Sequence, residues 1–257
     1  MSIETTDSDP DLPDVDERLV APGSGYEIID GRVVMVPPAH PPHATRQSNI
    51  AALFEAYTRD EYDVATEMLT RTSKIDDIAP DVSVFARAPH PRTGGRQLEE
   101  LVVEIISTQS VGNAATKAAK LSARGVRRVF GIDLGRNRLL EWSRDLGTWS
   151  ILDASVDLID PVFVAPLPFA ALLDAGRIDD FVARGLLARN NPVLAAEIER
   201  ARREENAAAI LAVLGARGLP VSEAQRNQVL QEPDLKRLAR WHTAAVTCAD
   251  VATLLED

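Results

Sequence analysis

The hydrophobic pattern in the first part of the chain consists of short apolar runs separated by turns and by longer segments with helical periodicity. Tyr26–Ile29 and Arg32–Val36 flank Asp30-Gly31. This pair favours a type I′ hairpin turn, because both of its positions need a positive φ. Further short apolar runs predict strands at residues 62–69, 80–87, 97–107, 128–133, 138–143 and 148–152.

Helical periodicity occurs in two segments of the same region. A helix is predicted from about residue 42 to residue 58, with Ile50 on its apolar face. A second, basic helix begins at Ser110 or Asn113 and ends at Gly125, which suits a helix C-cap. Strands interleaved with two helices predict an α/β fold, with a mixed β-sheet core flanked by helices rather than a helical bundle.

After Pro161 the pattern becomes helical. Short helices are predicted at 167–175 and 179–187, and a long charged helix follows from Asn191-Pro192; later helices open at Ser222, Asp234 and Asp250. These changes predict an acidic flexible segment at 1–25, the mixed domain at 26–175 and a helical C-terminal extension at 176–257. We assign the extension to dimerisation or partner contact; the alternative is a helical tail folded back on the core.

Two predicted strands each interrupt an apolar run with one acid. Asp81 opens the strand at 80–87, and Glu104 lies within the apolar run at 101–106. An unpaired carboxylate in a sheet core costs several kcal/mol, so each acid needs a partner or a metal ion. Lys117 lies on the helix that follows. Two acids on neighbouring strands and a nearby lysine are the components of a metal-dependent site for phosphodiester cleavage.

Each acid also has a purely structural interpretation. Asp81 follows Pro80 and would cap the start of a strand by accepting hydrogen bonds from nearby backbone N–H groups. Glu104 would lie at the edge of a sheet and face water. The residues alone leave both interpretations open.

Several short motifs occur in a fixed order between Tyr26 and Trp142. They are Tyr26-Glu27-Ile28-Ile29-Asp30-Gly31, His43 opening a helix after a proline-rich turn, Pro80-Asp81, Val103-Glu104-Ile105-Ile106-Ser107, Lys117, and Gly125-Val126 before Val129-Phe130-Gly131-Ile132-Asp133. In order and spacing they resemble the Uma-type restriction endonuclease family, bacterial members of the PD-(D/E)XK nuclease superfamily. The resemblance covers somewhat less than half of the chain and favours the catalytic interpretation.

This resemblance implies a restriction-endonuclease-like fold and a set of site residues. Mg²⁺, with Mn²⁺ as a substitute, would be held by Asp81, Glu104 and the backbone carbonyl of Ile105, which are the oxygen ligands that Mg²⁺ prefers. Lys117 takes the role of the superfamily's lysine, although it lies on the following helix rather than two residues after the glutamate. It would orient or deprotonate the attacking water, or hold the phosphate.

Two further residues are implied by the resemblance as members of the catalytic site. Glu27 would bind a second metal ion or its waters, and His43 would approach the scissile phosphate. The alternative for Glu27 is an exposed position in a hairpin strand. For His43 it is a helix-start residue that stabilises the first turn.

The net charge of −11 at first argues against a nucleic-acid partner, but the charge is unevenly distributed. Residues 1–18 hold seven acids and one base, whereas residues 101–150 hold eight bases and four acids. We expect Lys120, Arg124 and Arg127 to contact the phosphate backbone of a nucleic acid. The alternative is an ordinary solvated helix face.

The remaining features set the context of the function. The single cysteine, Cys248, allows no intramolecular disulfide, and no apolar run is long enough to span a bilayer, so we expect a cytoplasmic protein without a membrane partner. We predict a Mg²⁺-dependent endonuclease acting on DNA, with RNA left open, and a homodimer formed through the C-terminal helices. The rival is a catalytically inactive nuclease-like module that binds DNA or protein. Asn113, which stands where the family usually has an acid, favours this rival.

Overall fold

The computed structural model describes residues 12–21, 23–107 and 111–256. It divides into two compact units, one ending at Arg189 and the other beginning at Asn190. Each unit has its own hydrophobic core. The first is a mixed α/β domain, as the sequence predicted, and the second is built from helices.

The elements follow one another in an order close to the predicted one. The strands are β1 (Tyr26–Ile29), β2 (Arg32–Met35), β3 (Tyr62–Thr66), β4 (Thr70–Ser73), β5 (Asp76–Ile78), β6 (Val82–Ala86), β7 (Glu99–Ile106), β8 (Arg128–Asp133), β9 (Arg138–Ser143), β10 (Thr148–Ile151), β11 (Asp157–Leu158) and β12 (Leu167–Pro168). The helices are α1 (Pro41–Tyr57), α2 (Val111–Arg124), α3 (Phe169–Leu173), α4 (Ile178–Ala188), α5 (Pro192–Ala216), α6 (Glu223–Gln231), α7 (Leu235–Ala245) and α8 (Val251–Leu255).

A six-stranded sheet forms the centre of the first unit, with strand order β10-β9-β8-β7-β6-β3. β7 and β8 are parallel, and the other neighbours are antiparallel. The parallel pair is connected by α2, because parallel neighbours need a crossover. Alternate side chains of β7 point to opposite faces: Val103 packs in the core with α1, and Val102 packs in the core with α2.

A smaller four-stranded sheet has the order β2-β1-β5-β4. The turn between β1 and β2 has φ values of 53° at Asp30 and 70° at Gly31, which confirms the predicted type I′ hairpin. The backbone amide of Asp30 donates to Asp76 Oδ1 at 2.6 Å, which ties this turn to β5.

The sequence pattern missed β4 and β5. The strand predicted at 62–69 ends at Thr66, and Glu67 then takes a left-handed φ of 51°. The chain continues into β4 and β5, whose residues are mostly polar and buried. Without an alternation of apolar and polar residues these strands have no periodic signal, and they are stabilised by hydrogen bonds to side chains instead.

Residues 12–21 differ from the loose acidic lead-in that the sequence suggested. Val20 is buried, and the backbone amides of Leu19 and Val20 donate to Asp77 Oδ2 at 2.8 and 3.0 Å. The carbonyl of Pro13 accepts a hydrogen bond from Arg124 at 2.7 Å. This part of the segment is therefore packed on the domain, whereas residues 1–11 and Pro22 lie outside the described residues, as does Ser110.

The first unit extends through α4, beyond the predicted boundary at 175/176. Phe181 of α4 belongs to the same core as Tyr57 of α1. Gly185 allows the close approach of the two helices, because a Cβ there would lie 2.6 Å from Tyr57 Cε2. The division falls after α4 because this helix buries its apolar face against α1.

The second unit comprises α5 to α8, with Trp241 buried in its core. Its helix starts match the predicted capping residues. Asn191 caps α5, Ser222 forms a capping box with Gln225, and Asp234 and Asp250 cap α7 and α8. Within the described residues, no helix is both long enough and apolar enough to cross a membrane.

Candidate active site

The register of β6 and β7 brings the two predicted acids together. Val82 pairs with Val103, so Asp81 and Glu104 are the next residues along the two neighbouring strands. Val102 and Ile106 flank Glu104 on the face of the sheet that α2 covers. The alternation of β7 therefore directs Glu104 towards α2, which carries Lys117.

Asp81 is held through both carboxylate oxygens. Oδ2 accepts a hydrogen bond from the backbone amide of Ile105 at 2.5 Å. Oδ1 lies 3.1 Å from His43 Nε2, and His43 Nδ1 lies 3.1 Å from Ser107 Oγ. The structural interpretation of Asp81 thus holds for one carboxylate oxygen, which accepts a hydrogen bond from a backbone N–H. These bonds also fix the direction of the carboxylate.

Glu104 differs from Asp81 because it is fully buried, with 0% exposure. Neither carboxylate oxygen accepts a hydrogen bond from the described residues, although Lys117 Nζ lies 3.2 Å from Oε2 as an ion pair. The alternative of a water-facing glutamate at a sheet edge is wrong, because β7 lies between β6 and β8. A buried carboxylate with so few donors indicates a site that lacks part of its charge compensation.

Lys117 joins the acids of the site. Its ammonium lies 3.0 Å from Glu27 Oε1 and 3.2 Å from Glu104 Oε2, and it donates to the carbonyl of Ala79 at 3.2 Å. Glu27 also accepts from the amide of Ala79 at 2.8 Å. Glu27 is 4% exposed, so the alternative of an exposed hairpin residue is wrong.

The pKa values of these groups shift for identifiable reasons. Burial raises the pKa of Glu104, the nearby Lys117 ammonium opposes this rise, and the negative charges of Asp81 and Glu27 add to it. Burial lowers the pKa of Lys117, but the carboxylates around it more than offset this and raise it overall. The hydrogen bond to Asp81 raises the pKa of His43. The site therefore holds an excess of negative charge.

The donor set fits a small divalent cation. Asp81, Glu104 and Glu27 surround a single ammonium, that of Lys117. Mg²⁺ is usually bound through one or two carboxylates and several waters, and it would supply the missing positive charge. No group of three or more His, Cys, Asp or Glu side chains within the described ranges is placed to hold a metal on its own. Two acids and a backbone carbonyl, completed by water, are consistent with that finding.

The three residues predicted to contact phosphate interact with other groups of the chain. Lys120 Nζ lies 2.7 Å from Asp30 Oδ1 and 3.0 Å from Asp76 Oδ1. Arg124 donates to the carbonyl of Pro13, and Arg127 forms ion pairs with Glu100 and Asp160. Glu104 pairs with Gly131, and Arg127 lies four residues before Gly131, so the Arg127 backbone is about 13 Å from Glu104 along the strand direction. The structure does not collect these residues around the acids.

Two residues near the site were missed by the sequence analysis. Gln47 of α1 donates to the backbone carbonyl of Asp81 at 3.0 Å and lies 3.4 Å from Glu67 Oε1. The amide of Glu67 donates to the carbonyl of Pro80 at 3.1 Å. These contacts join residues distant in sequence, and a lone glutamine on a helix gives no signal. Gln47 lies four residues after His43 and therefore on the same helix face, and this position is the one feature of the sequence that would have suggested its role.

A mixed sheet that brings two acids and a lysine to one place is the arrangement expected of enzymes that hydrolyse phosphodiester bonds. The family model described as "Uma2: Putative restriction endonuclease" matches residues 12–166, and the chain belongs to this family. The match covers more than half of the chain and confirms the predicted family. It places the protein among the nucleases, which are hydrolases.

The chain also has matches among solved structures. One match is the crystal structure of "a putative nuclease belonging to DUF820" from Anabaena variabilis ATCC 29413, with 16% sequence identity and a TM-score of 0.49. It covers 61% of this chain and 90% of that chain. No curated protein matches the chain.

Proposed function

We propose that this protein is a Mg²⁺-dependent endonuclease that cleaves DNA at the site formed by Asp81, Glu104 and Lys117. The observation that carries the proposal is Glu104: a fully buried carboxylate whose one positively charged partner among the described residues is the Lys117 ammonium, 3.2 Å away. A buried charge of this kind costs stability, and a catalytic requirement for a metal ligand accounts for its presence.

Asp81, Glu104 and the carbonyl of Ile105 would hold the metal. A bound Mg²⁺ would neutralise charge on the phosphate and make hydroxide available near neutral pH. The contacts of Asp81 with His43 and with the Ile105 amide orient its carboxylate before any ligand binds. This preorganisation lowers the cost of assembling the site.

We assign Lys117 an electrostatic role. Its ammonium has three acceptors within 3.2 Å, from Glu27, Glu104 and Ala79, which keep it charged. A fixed positive charge can orient the attacking water or hold a phosphate oxygen as negative charge develops. Glu27 positions this lysine, because the same oxygen also accepts the Ala79 amide. The side chains of His43 and Asp81 are 16% and 14% exposed, so both can be reached by a phosphate from solvent.

The test measures nicking of supercoiled plasmid DNA with Mg²⁺ or Mn²⁺. We expect Asp81→Ala and Glu104→Ala to abolish cleavage while circular dichroism shows a folded protein. Lys120→Ala is the matched control, because it removes an ammonium one turn along the same helix. Equal cleavage by the wild type and the two acid variants, or no cleavage by any of them, would refute the proposal. A structured RNA tested in parallel shows whether DNA is the substrate.

A second candidate is an inactive nuclease-like module that binds DNA or protein. The observation that favours it is the pairing of Lys120 and Arg127 with acids of the same chain, which reduces the positive charge offered to a phosphate backbone. Calorimetry with Mn²⁺ separates the two candidates. Binding that disappears in Asp81→Ala supports the enzyme, whereas no binding by the wild type supports the module.

A further inference from the structure

β2 is an edge strand with unusual apolar exposure. It ends the four-stranded sheet, and no other described strand pairs with its outer side. Val33, Val34, Met35 and Val36 follow one another and are 61%, 40%, 70% and 46% exposed. An uncovered apolar edge usually carries charges or a proline that block pairing with another chain. Arg32 precedes Val33–Val36 and Pro37 follows it, but these four residues include neither a charge nor a proline, so this stretch of the edge remains open to a partner strand.

The hydrogen-bonding pattern of the hairpin shows which backbone groups of β2 point outwards. The amide of Val36 donates to the carbonyl of Gly25, and Val34 pairs with Glu27. In an antiparallel ladder these positions bond inwards, so the N–H and C=O groups of Val33 and Met35 face the open side. The edge thus offers two donors and two acceptors, spaced two residues apart.

We propose that β2 pairs antiparallel with β2 of a second copy of this chain, with Val34 on the two-fold axis. In this register Val33 faces Met35 of the other copy. The N–H of each residue then donates to the C=O of the other, and the two-fold axis repeats this pair of hydrogen bonds. Arg32, the one charged residue of β2, faces a valine rather than a second arginine, so no like charges meet. The strand is therefore complementary to itself about a two-fold axis, as a dimer of identical chains requires.

Such pairing would also relate the two active sites. Glu27 lies directly beside Val34 in the hairpin, so three strand spacings, about 14 Å, would separate the Glu27 backbones of the two copies. The two-fold axis would be perpendicular to the sheet, which places both sites on the same face. If the proposed nuclease function holds, this pair of sites would suit the two strands of one duplex.

The first experiment is sedimentation velocity of the full chain over a range of concentrations. We expect dimerisation with a dissociation constant on the order of micromolar, because a five-residue edge is small for an interface. Val34→Lys should give a monomer by placing two ammonium groups on the axis, and Met35→Pro should do so by removing an outward N–H. Ile151→Lys is the matched control: Ile151 is 66% exposed on β10, which ends the six-stranded sheet.

The second experiment tests the register by disulfide cross-linking in a Cys248→Ser background, since Cys248 is the single cysteine. Val34→Cys should cross-link two chains, because residues opposite each other at a non-hydrogen-bonded position are about 4.5 Å apart at Cα. Val33→Cys is the control. Its two copies would be offset by two residues, about 7–8 Å apart, and should cross-link poorly.

A wild type that stays monomeric at its highest soluble concentration would overturn the proposal. So would a dimer that survives both Val34→Lys and Met35→Pro, which would point to another surface such as the C-terminal helices. These readouts need no catalysis, so the dimer and the nuclease can fail separately. If both hold, Val34→Lys should still nick plasmid DNA but should yield less linear product relative to nicked product.

Discussion

Two buried charge clusters lie near the sheet strands β7 and β8, and they differ in how their carboxylates are satisfied. Asp160 is 1% exposed at its side chain, and both of its oxygens accept hydrogen bonds from Arg127, with Arg128 adding one more. Glu104 is equally buried, but neither of its oxygens accepts one from the described residues. The carboxylate of Asp160 is satisfied by two arginines, whereas that of Glu104 depends on a single ion pair with Lys117. Two equally buried carboxylates therefore differ in the number of hydrogen bonds that they accept.

The largest expected effect separates stability from activity at Glu104. Glu104→Gln should lower the rate of Mg²⁺-dependent cleavage by about a thousandfold, because it removes a charged metal ligand. The free energy of unfolding should change by no more than about 1 kcal/mol, because the substitution also removes an incompletely compensated buried charge. Steady-state cleavage assays and urea unfolding measure the two quantities. A stable Glu104→Gln variant with wild-type activity would contradict the role of Glu104 as a metal ligand.

The opposite result is expected for Asp160→Asn. Both arginines would lose a charged partner, so the free energy of unfolding should fall by about 2–3 kcal/mol; the arginines are 38% and 22% exposed, which keeps the loss below that of a fully buried pair. Cleavage by the folded fraction should remain near that of the wild type. Urea unfolding and an activity assay at low temperature test this. A large loss of activity in a fully folded variant would contradict it.

The pH dependence sharpens the same contrast. Burial raises the pKa of Asp160, but the hydrogen bonds and positive charge of Arg127 outweigh it and hold the pKa below its usual range. An acid with a lowered pKa stabilises the fold above its unfolded pKa, and this contribution is lost as the pH falls through the folded value. The stability difference between the wild type and Asp160→Asn should therefore shrink below about pH 4. Thermal unfolding from pH 3 to pH 7 measures it; a constant difference would contradict the assignment.

The smallest effect is expected for Lys120→Ala. Lys120 pairs with Asp30, which is 66% exposed at its side chain, and with the buried Asp76. Solvent screening limits such a pair, so the free energy of unfolding should fall by less than about 1 kcal/mol and cleavage by less than about tenfold. Lys117→Ala, one helical turn earlier, should impair cleavage far more. Comparable losses from the two substitutions would show that Lys120 takes part in the chemistry.

The sequence predicted much of the fold because local signals and burial agree there. β8 and β9 were placed at their observed bounds, since apolar runs with clear turns flank them. The starts of α5 and α6 followed from Asn191 and Ser222, whose side chains bond the next backbone amides. β4 and β5 could not be predicted, because their polar residues are buried by contacts between distant segments, such as Asp77 with Leu19.

The sequence predicted which residues form the candidate site better than it predicted the hydrogen bonds among them. The strand positions of Asp81 and Glu104, together with the family resemblance, identified both acids and Lys117, and the structure places all three together. The hydrogen bonds of His43 and Gln47 with Asp81 depend on how α1 lies across the sheet, which no local pattern specifies. Likewise, the pairing of Arg127 with Asp160 joins residues 33 positions apart.

The close approach at Gly185 has a mechanical consequence. α4 is the last helix before the second unit begins at Asn190, and it packs against α1 where Gly185 contacts Tyr57. The opposite end of α1 carries His43, which holds Asp81. α1 thus connects α4 to the residue that contacts Asp81, so a substitution that forces α1 and α4 apart at Gly185 would also move His43 relative to Asp81.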